Sequence, residues 1–121
     1  MVSLFDWFHR SHRPKTPRGL HFGQAATLWA EPRFTPELRP VAAYVAETLC
    51  EQVGLTLSQL EPHSIFLTDL QIDEETPELV MALEEDLGFS IPDADCRELN
   101  TISDLVCYLH ARLQSAGNLA I

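Results

Sequence analysis

Thr76-Pro77-Glu78-Leu79-Val80-Met81-Ala82-Leu83-Glu84-Glu85-Asp86-Leu87-Gly88 reads as one complete helix with both ends marked. Threonine is a good N-cap, because its hydroxyl can accept an orphan backbone N–H of the first turn. Proline fits the first helical position, where no N–H is needed, and Glu78 meets the positive end of the helix dipole. Leu79, Leu83 and Leu87 recur at every fourth residue and draw an apolar stripe. Gly88 supplies a stop, since glycine accepts the left-handed conformation that closes a helix.

Outward from this helix the pattern repeats. On the N-terminal side, Leu38, Val41, Ala42, Val45, Leu49 and Val53 form a second helical stripe, with Gly54 as its stop. Next comes a connection from Leu55 to about Thr76, and its Leu57, Leu60, Ile65, Phe66, Leu67 and Leu70 should pack onto the core. On the C-terminal side a short helix is expected over 94–99. A last helix then starts with Thr101 as N-cap and Asp104 in the first turn, carrying Ile102, Leu105, Val106, Leu109 and Leu113 inward. No strand is expected. The first forty residues hold five of the eight prolines, so no single long helix can form there. They are expected to be irregular, with short helical pieces at 23–30 and at the extreme N-terminus. The division expected is a basic, proline-rich arm over 1–36 and a helical domain over 37–121. The fold class is all-α: a bundle of three main helices plus one short helix.

The charge is divided in the same way. Of 121 residues, eight are basic and eighteen acidic, a net of −10. Residues 1–40 carry a net of +3, whereas 41–121 set only Arg97 and Arg112 against fifteen acids, a net of −13. Such a domain repels phosphate backbones, so nucleic acid is not expected as a ligand and a basic protein surface is. No apolar run reaches the length of a membrane span, and residues 1–10 are too short and too weakly basic for stable insertion. Cys50, Cys96 and Cys107 make no C-x-x-C pair, which points to free thiols and a cytoplasmic address. No metal is expected: His9 and His12 lack further ligands nearby. The alternating acids from Asp69 lack the glycine and the terminal bidentate acid of a calcium loop, with Glu74 and Val80 in those places. No nucleophile–base pair or phosphate-cradling loop is evident, so enzyme activity is not expected.

Several segments together resemble the acyl carrier protein family. These are Glu51-Gln52-Val53-Gly54-Leu55 at the end of the first main helix, Phe66-Leu67-Thr68-Asp69-Leu70 in the long connection, and Glu78-Leu79-Val80-Met81-Ala82-Leu83-Glu84-Glu85 in the second. Ile91-Pro92-Asp93 and Thr101-Ile102-Ser103-Asp104-Leu105-Val106 continue the likeness, which covers about 76 of the 121 residues, from Leu38 to Leu113. The resemblance implies a helical carrier fold. It also implies that the acids of the second main helix meet basic patches on acyl-transfer or other biosynthetic enzymes. Asp73, Glu74, Glu75, Glu78, Val80, Met81, Glu84 and Glu85 are the partner-binding residues it implies.

The likeness breaks where the family carries Asp-Ser-Leu, whose serine is esterified by phosphopantetheine. Here the chain reads Asp69-Leu70-Gln71-Ile72-Asp73-Glu74-Glu75-Thr76, with Glu74 in the serine's place, or Asp73 if no gap is allowed. Neither offers a hydroxyl. No cofactor is therefore expected, and 4'-phosphopantetheine enters only through a displaced hydroxyl; Thr76, the nearest, is expected to cap the helix instead. The leading expectation is a monomeric carrier-like module that docks a basic partner through its acidic second helix. The alternatives are a working acyl or peptidyl carrier of fatty-acid or polyketide-type biosynthesis with a displaced attachment site, and a localisation tether acting through Leu4, Phe5, Trp7 and Phe8. The +3 arm is also expected to dock on its own −13 domain, with Trp29 or Phe34 as anchor.

Overall fold

The computed structural model describes residues 19–72 and 77–115. Within them the chain forms α1 (Gln24–Ala30), α2 (Arg39–Val53), α3 (Pro77–Leu87), α4 (Asp93–Cys96) and α5 (Ile102–Ser115), with a single 3-10 turn at Leu57–Gln59. No strand occurs among the described residues, apart from one isolated antiparallel bridge between Ile65 and Thr101. The all-helical expectation holds, as do the three main helices and the short α4.

The bundle is organised around α2, against which α1, α3 and α5 all pack. Every residue from Val41 to Ala46 is buried, as are Thr48 and Leu49. A helix that is apolar on all sides must be enclosed on all sides. The stripe of Val41, Ala42, Val45 and Leu49 accounts for one face only; Ala43, Tyr44 and Ala46 lie off it and are no less buried. The extra cover includes α1. Gly54 closes α2 in the left-handed region, at φ 80°.

Residues 23–34 fall within the expected arm, and α1 forms where a short helical piece is expected at 23–30. Helix α1 is part of the core: Ala26, Trp29, Ala30 and Phe34 are buried and belong to the same apolar cluster as α2. The Trp29 indole donates from Nε1 to the Leu60 carbonyl at 3.0 Å, tying α1 to the loop beyond the 3-10 turn. Arg33 lies over the Trp29 ring, 5.3 Å from its centroid, and donates to Glu61 at 3.0 Å. Glu47 of α2 accepts the Gly23 N–H at 3.2 Å, which sets a carboxylate at the positive end of α1. The helical piece expected at the extreme N-terminus lies outside the described residues.

At the far end of the bundle the start of α5 is capped reciprocally. Thr101 Oγ1 accepts the Asp104 N–H at 3.1 Å, and the Asp104 carboxylate accepts the Thr101 N–H at 3.1 Å. That is a capping box with aspartate as its acid. Tyr108 of α5 donates to Asp95 of α4 at 2.7 Å, and Arg112 stacks on Phe89 at 4.4 Å while donating to the Ser90 carbonyl. The short helix is thereby clamped to α5.

Because Trp29 carries both ring burial and the Leu60 hydrogen bond, Trp29→Ala should cost about 3–5 kcal/mol of unfolding free energy in urea. A cost under about 1 kcal/mol, the range of a surface change, would place α1 outside the cooperative core.

Candidate functional site

The family-like loop is built as a closed turn. The Asp69 carboxylate accepts the Ile65 N–H at 2.8 Å, while the Asp69 and Leu70 N–H groups both donate back to the Ile65 carbonyl. Ile72 then donates to the Phe66 carbonyl at 2.7 Å. Leu70 and Ile72 are buried and anchor this turn in the core, and Phe66 packs against the same cluster. On its other side the turn is held to α5 by hydrogen bonds from Phe66 to Asn100, Ile102 to Ser64 and Ser103 to Pro62. The Phe-x-x-Asp-Leu spacing therefore has a mechanical meaning. The acid closes a turn that places two apolar anchors, and the chain beyond Leu70 is delivered to the start of α3.

Gln71, between the anchors, has φ 59° and is the sole non-glycine residue with positive φ among those described. This left-handed conformation is costly for a residue with a Cβ. The turn over-determines it from both sides.

The structure divides the expected partner-binding residues. Asp73, Glu74 and Glu75 lie outside the described residues, as does Thr76 with its expected capping role. Glu78 is exposed on α3. Val80 packs against the core cluster, and Met81 is buried, with 4% of its surface exposed. Glu84 is half-buried and accepts the Ile91 N–H at 2.7 Å, fixing the chain between α3 and α4. Glu85 is half-buried as well.

Asp86 belongs by sequence to the acid run of α3, yet only 7% of it is exposed. Its Oδ2 accepts the Tyr44 hydroxyl at 2.8 Å and the His21 Nε2–H at 3.0 Å. Tyr44 is fully buried in α2, and the His21 ring meets it edge-on with centroids 5.3 Å apart. The Gly19 N–H donates to the Asp86 backbone carbonyl at 2.6 Å. Sequence reading misses this junction because His21, Tyr44 and Asp86 are far apart in the chain and belong to no local motif. The available signal is the lone tyrosine inside an apolar run, since a buried phenol needs a partner.

Little else has the chemistry of a site. Cys50, Cys96 and Cys107 are free thiols. Burial pushes the Cys50 and Cys96 thiols up, as do neighbouring acids, so neither is an activated nucleophile. No cluster of three or more metal-ligating side chains occurs among the described residues. A hollow of about 260 Å³ is lined by Asp95, Glu98, Leu99, Asp104, Cys107 and Tyr108, with no contribution from α3. No described helix is long and apolar enough to cross a membrane.

A small helical bundle with a buried-anchor turn leading into an acid-bearing helix is the architecture of a carrier domain. The chain is 37% identical over 68 residues to an acyl carrier protein from Helicobacter hepaticus, an alignment spanning 55% of this chain and 90% of that protein. The chain belongs to the acyl carrier protein family. No family model matches it.

Tyr44→Phe removes one hydrogen bond to a buried acid, and should cost about 1.5–3 kcal/mol by urea unfolding. Gln71→Gly should act the other way. Relief of the roughly 1–2 kcal/mol left-handed penalty, less glycine's added chain entropy, leaves a gain of about 0.5–1 kcal/mol. A raised urea midpoint checks this.

Proposed function

We propose that the chain is a carrier-family interaction module that docks a basic protein surface through the acids around α3 and has no phosphopantetheine at the usual position. One observation carries this reading. The supports on both sides of the attachment position are kept, with Asp69 closing its turn on Ile65 and α3 starting at Pro77. Of the residues between, Leu70-Gln71-Ile72-Asp73-Glu74-Glu75-Thr76, only Thr76 carries a hydroxyl, and it stands at the position expected to cap α3. A scaffold that retains its means of presentation without the group presented is suited to recognition.

The fit to a basic partner rests on charge. No lysine or arginine occurs between Arg39 and Arg97, and α3 presents Glu78 openly. Acids gathered on one face steer a positively charged partner into encounter and favour it over a neutral one. Glu74 keeps negative charge where a modified serine would carry its phosphate, so an enzyme that reads the charged form of a carrier finds a mimic here. The partner in this reading is an acyl-transfer or other biosynthetic enzyme, and the module itself is a cytoplasmic, non-enzymatic monomer.

Incubation with coenzyme A and a phosphopantetheinyl transferase, followed by intact mass measurement, tests the reading directly. The expected outcome is an unchanged mass. A gain equal to one phosphopantetheine would establish a working carrier with a displaced attachment hydroxyl. For the charge-mimic role, Glu74→Gln should weaken binding to the basic partner and flatten its salt dependence. Unchanged affinity in both respects would remove that role.

A further inference from the structure

Met81 is buried on the wrong side of its helix. At 3.6 residues per turn it lies about 160° around α3 from the centre of the Leu79, Leu83 and Leu87 stripe. Those three leucines belong to the apolar core cluster, and Met81 does not. Its neighbours around the helix are Glu78, Glu84 and Glu85. A methionine set among acids on the outer face of a surface helix should be open to water, yet 4% of it is exposed.

The chain enters the described structure at the end of this same helix. Gly19 is hydrogen-bonded to the Asp86 carbonyl and His21 to the Asp86 side chain, so the segment before Gly19 is attached to the fold beside the last turn of α3. Met81 is five residues back along the helix, about 7–8 Å at the rise of 1.5 Å per residue. A few residues of extended chain cover that distance. The segment has the composition the face calls for. Arg10, Arg13, Lys15 and Arg18 stand against one acid, Asp6, and Leu4, Phe5, Trp7 and Phe8 precede them. Basic side chains complement Glu78 and Glu85, while aromatic rings make favourable contacts with a thioether.

We propose that residues 4–18 dock across the outer face of α3, over Met81 and beside Glu78 and Glu85, so that the acidic helix is already occupied by its own chain. The contact is independent of what the module binds. Its consequence, that an external basic partner must displace the segment, rests on the function proposed above. An intramolecular ligand acts at an effective concentration on the order of millimolar. It therefore excludes weak basic competitors while yielding to a partner that binds α3 tightly. His21, Tyr44 and Asp86 serve as the hinge pin that keeps the segment beside its site.

Methyl-labelled methionine makes this measurable in the full chain, because Met1 and Met81 are the only two methionines. Met81→Leu assigns the signals. In the wild type at low salt, the Met81 methyl should show cross-relaxation to aromatic protons. In the full-length variant Arg10→Gln/Arg13→Gln/Lys15→Gln/Arg18→Gln this should vanish and the methyl shift should move. A synthetic peptide of residues 1–18, added in trans, should bind that variant at least tenfold more tightly than the wild type. Adding Glu78→Gln to the variant should weaken the peptide's binding. An identical Met81 methyl in the two proteins, or equal affinity of the peptide for both, overturns the proposal. Neither result bears on the mass measurement, so failure of this contact and failure of the carrier-like docking reading remain distinguishable.

Discussion

Enclosure of α2 is the constraint on which the rest of this protein depends. Six consecutive residues, Val41 to Ala46, are buried, and three of them are alanines. Small side chains let neighbouring helices come close, but a helix so short of polar surface cannot stand at the edge of a bundle. It requires partners on every side. Helices α3 and α5 supply two of them, and α1 supplies another. The addition before the carrier-like region is thus a structural partner of its central helix, pinned by Trp29 to Leu60 and by Glu47 to Gly23.

The same economy of contacts positions the site. Ordering the long connection between α2 and α3 costs conformational entropy, and contacts at three places offset that cost. Trp29 grips it at Leu60, the bridge to Thr101 grips it at Ile65, and Leu70 with Ile72 sink into the core. Gln71 is forced into a left-handed conformation between these last two anchors. The stretch that follows, Asp73-Glu74-Glu75-Thr76, holds three acids and no serine in the sequence.

Charge in this chain has two different uses, and burial separates them. Asp69, Glu84 and Asp104 accept backbone N–H groups and act as local structural ties. Asp86 accepts a tyrosine and a histidine inside the fold. Glu78 faces water. A carboxylate committed to internal donors is a poor electrostatic handle for a partner, because its lone pairs are already satisfied and its geometry is fixed. The acid run of α3 is therefore less uniform as a surface than it is as a sequence.

The helices, their caps and the family likeness were legible from local chemistry. Four-residue spacing marked the apolar stripes, Gly54 and Gly88 marked stops, and Thr101 with Asp104 marked a start that the hydrogen bonds reproduce. The missing hydroxyl between Leu70 and Thr76 is likewise a fact of sequence. Three matters were decided only in three dimensions. Helix α1 joined the core because α2 needed cover off its main stripe, a demand that the stripe itself does not reveal. Met81 is buried although it lies off the leucine stripe of α3, and Asp86 turns inward to Tyr44 and His21. Periodicity along a chain tells which side of a helix is apolar. Only packing tells what stands against the other side, because that depends on residues brought together from distant parts of the sequence.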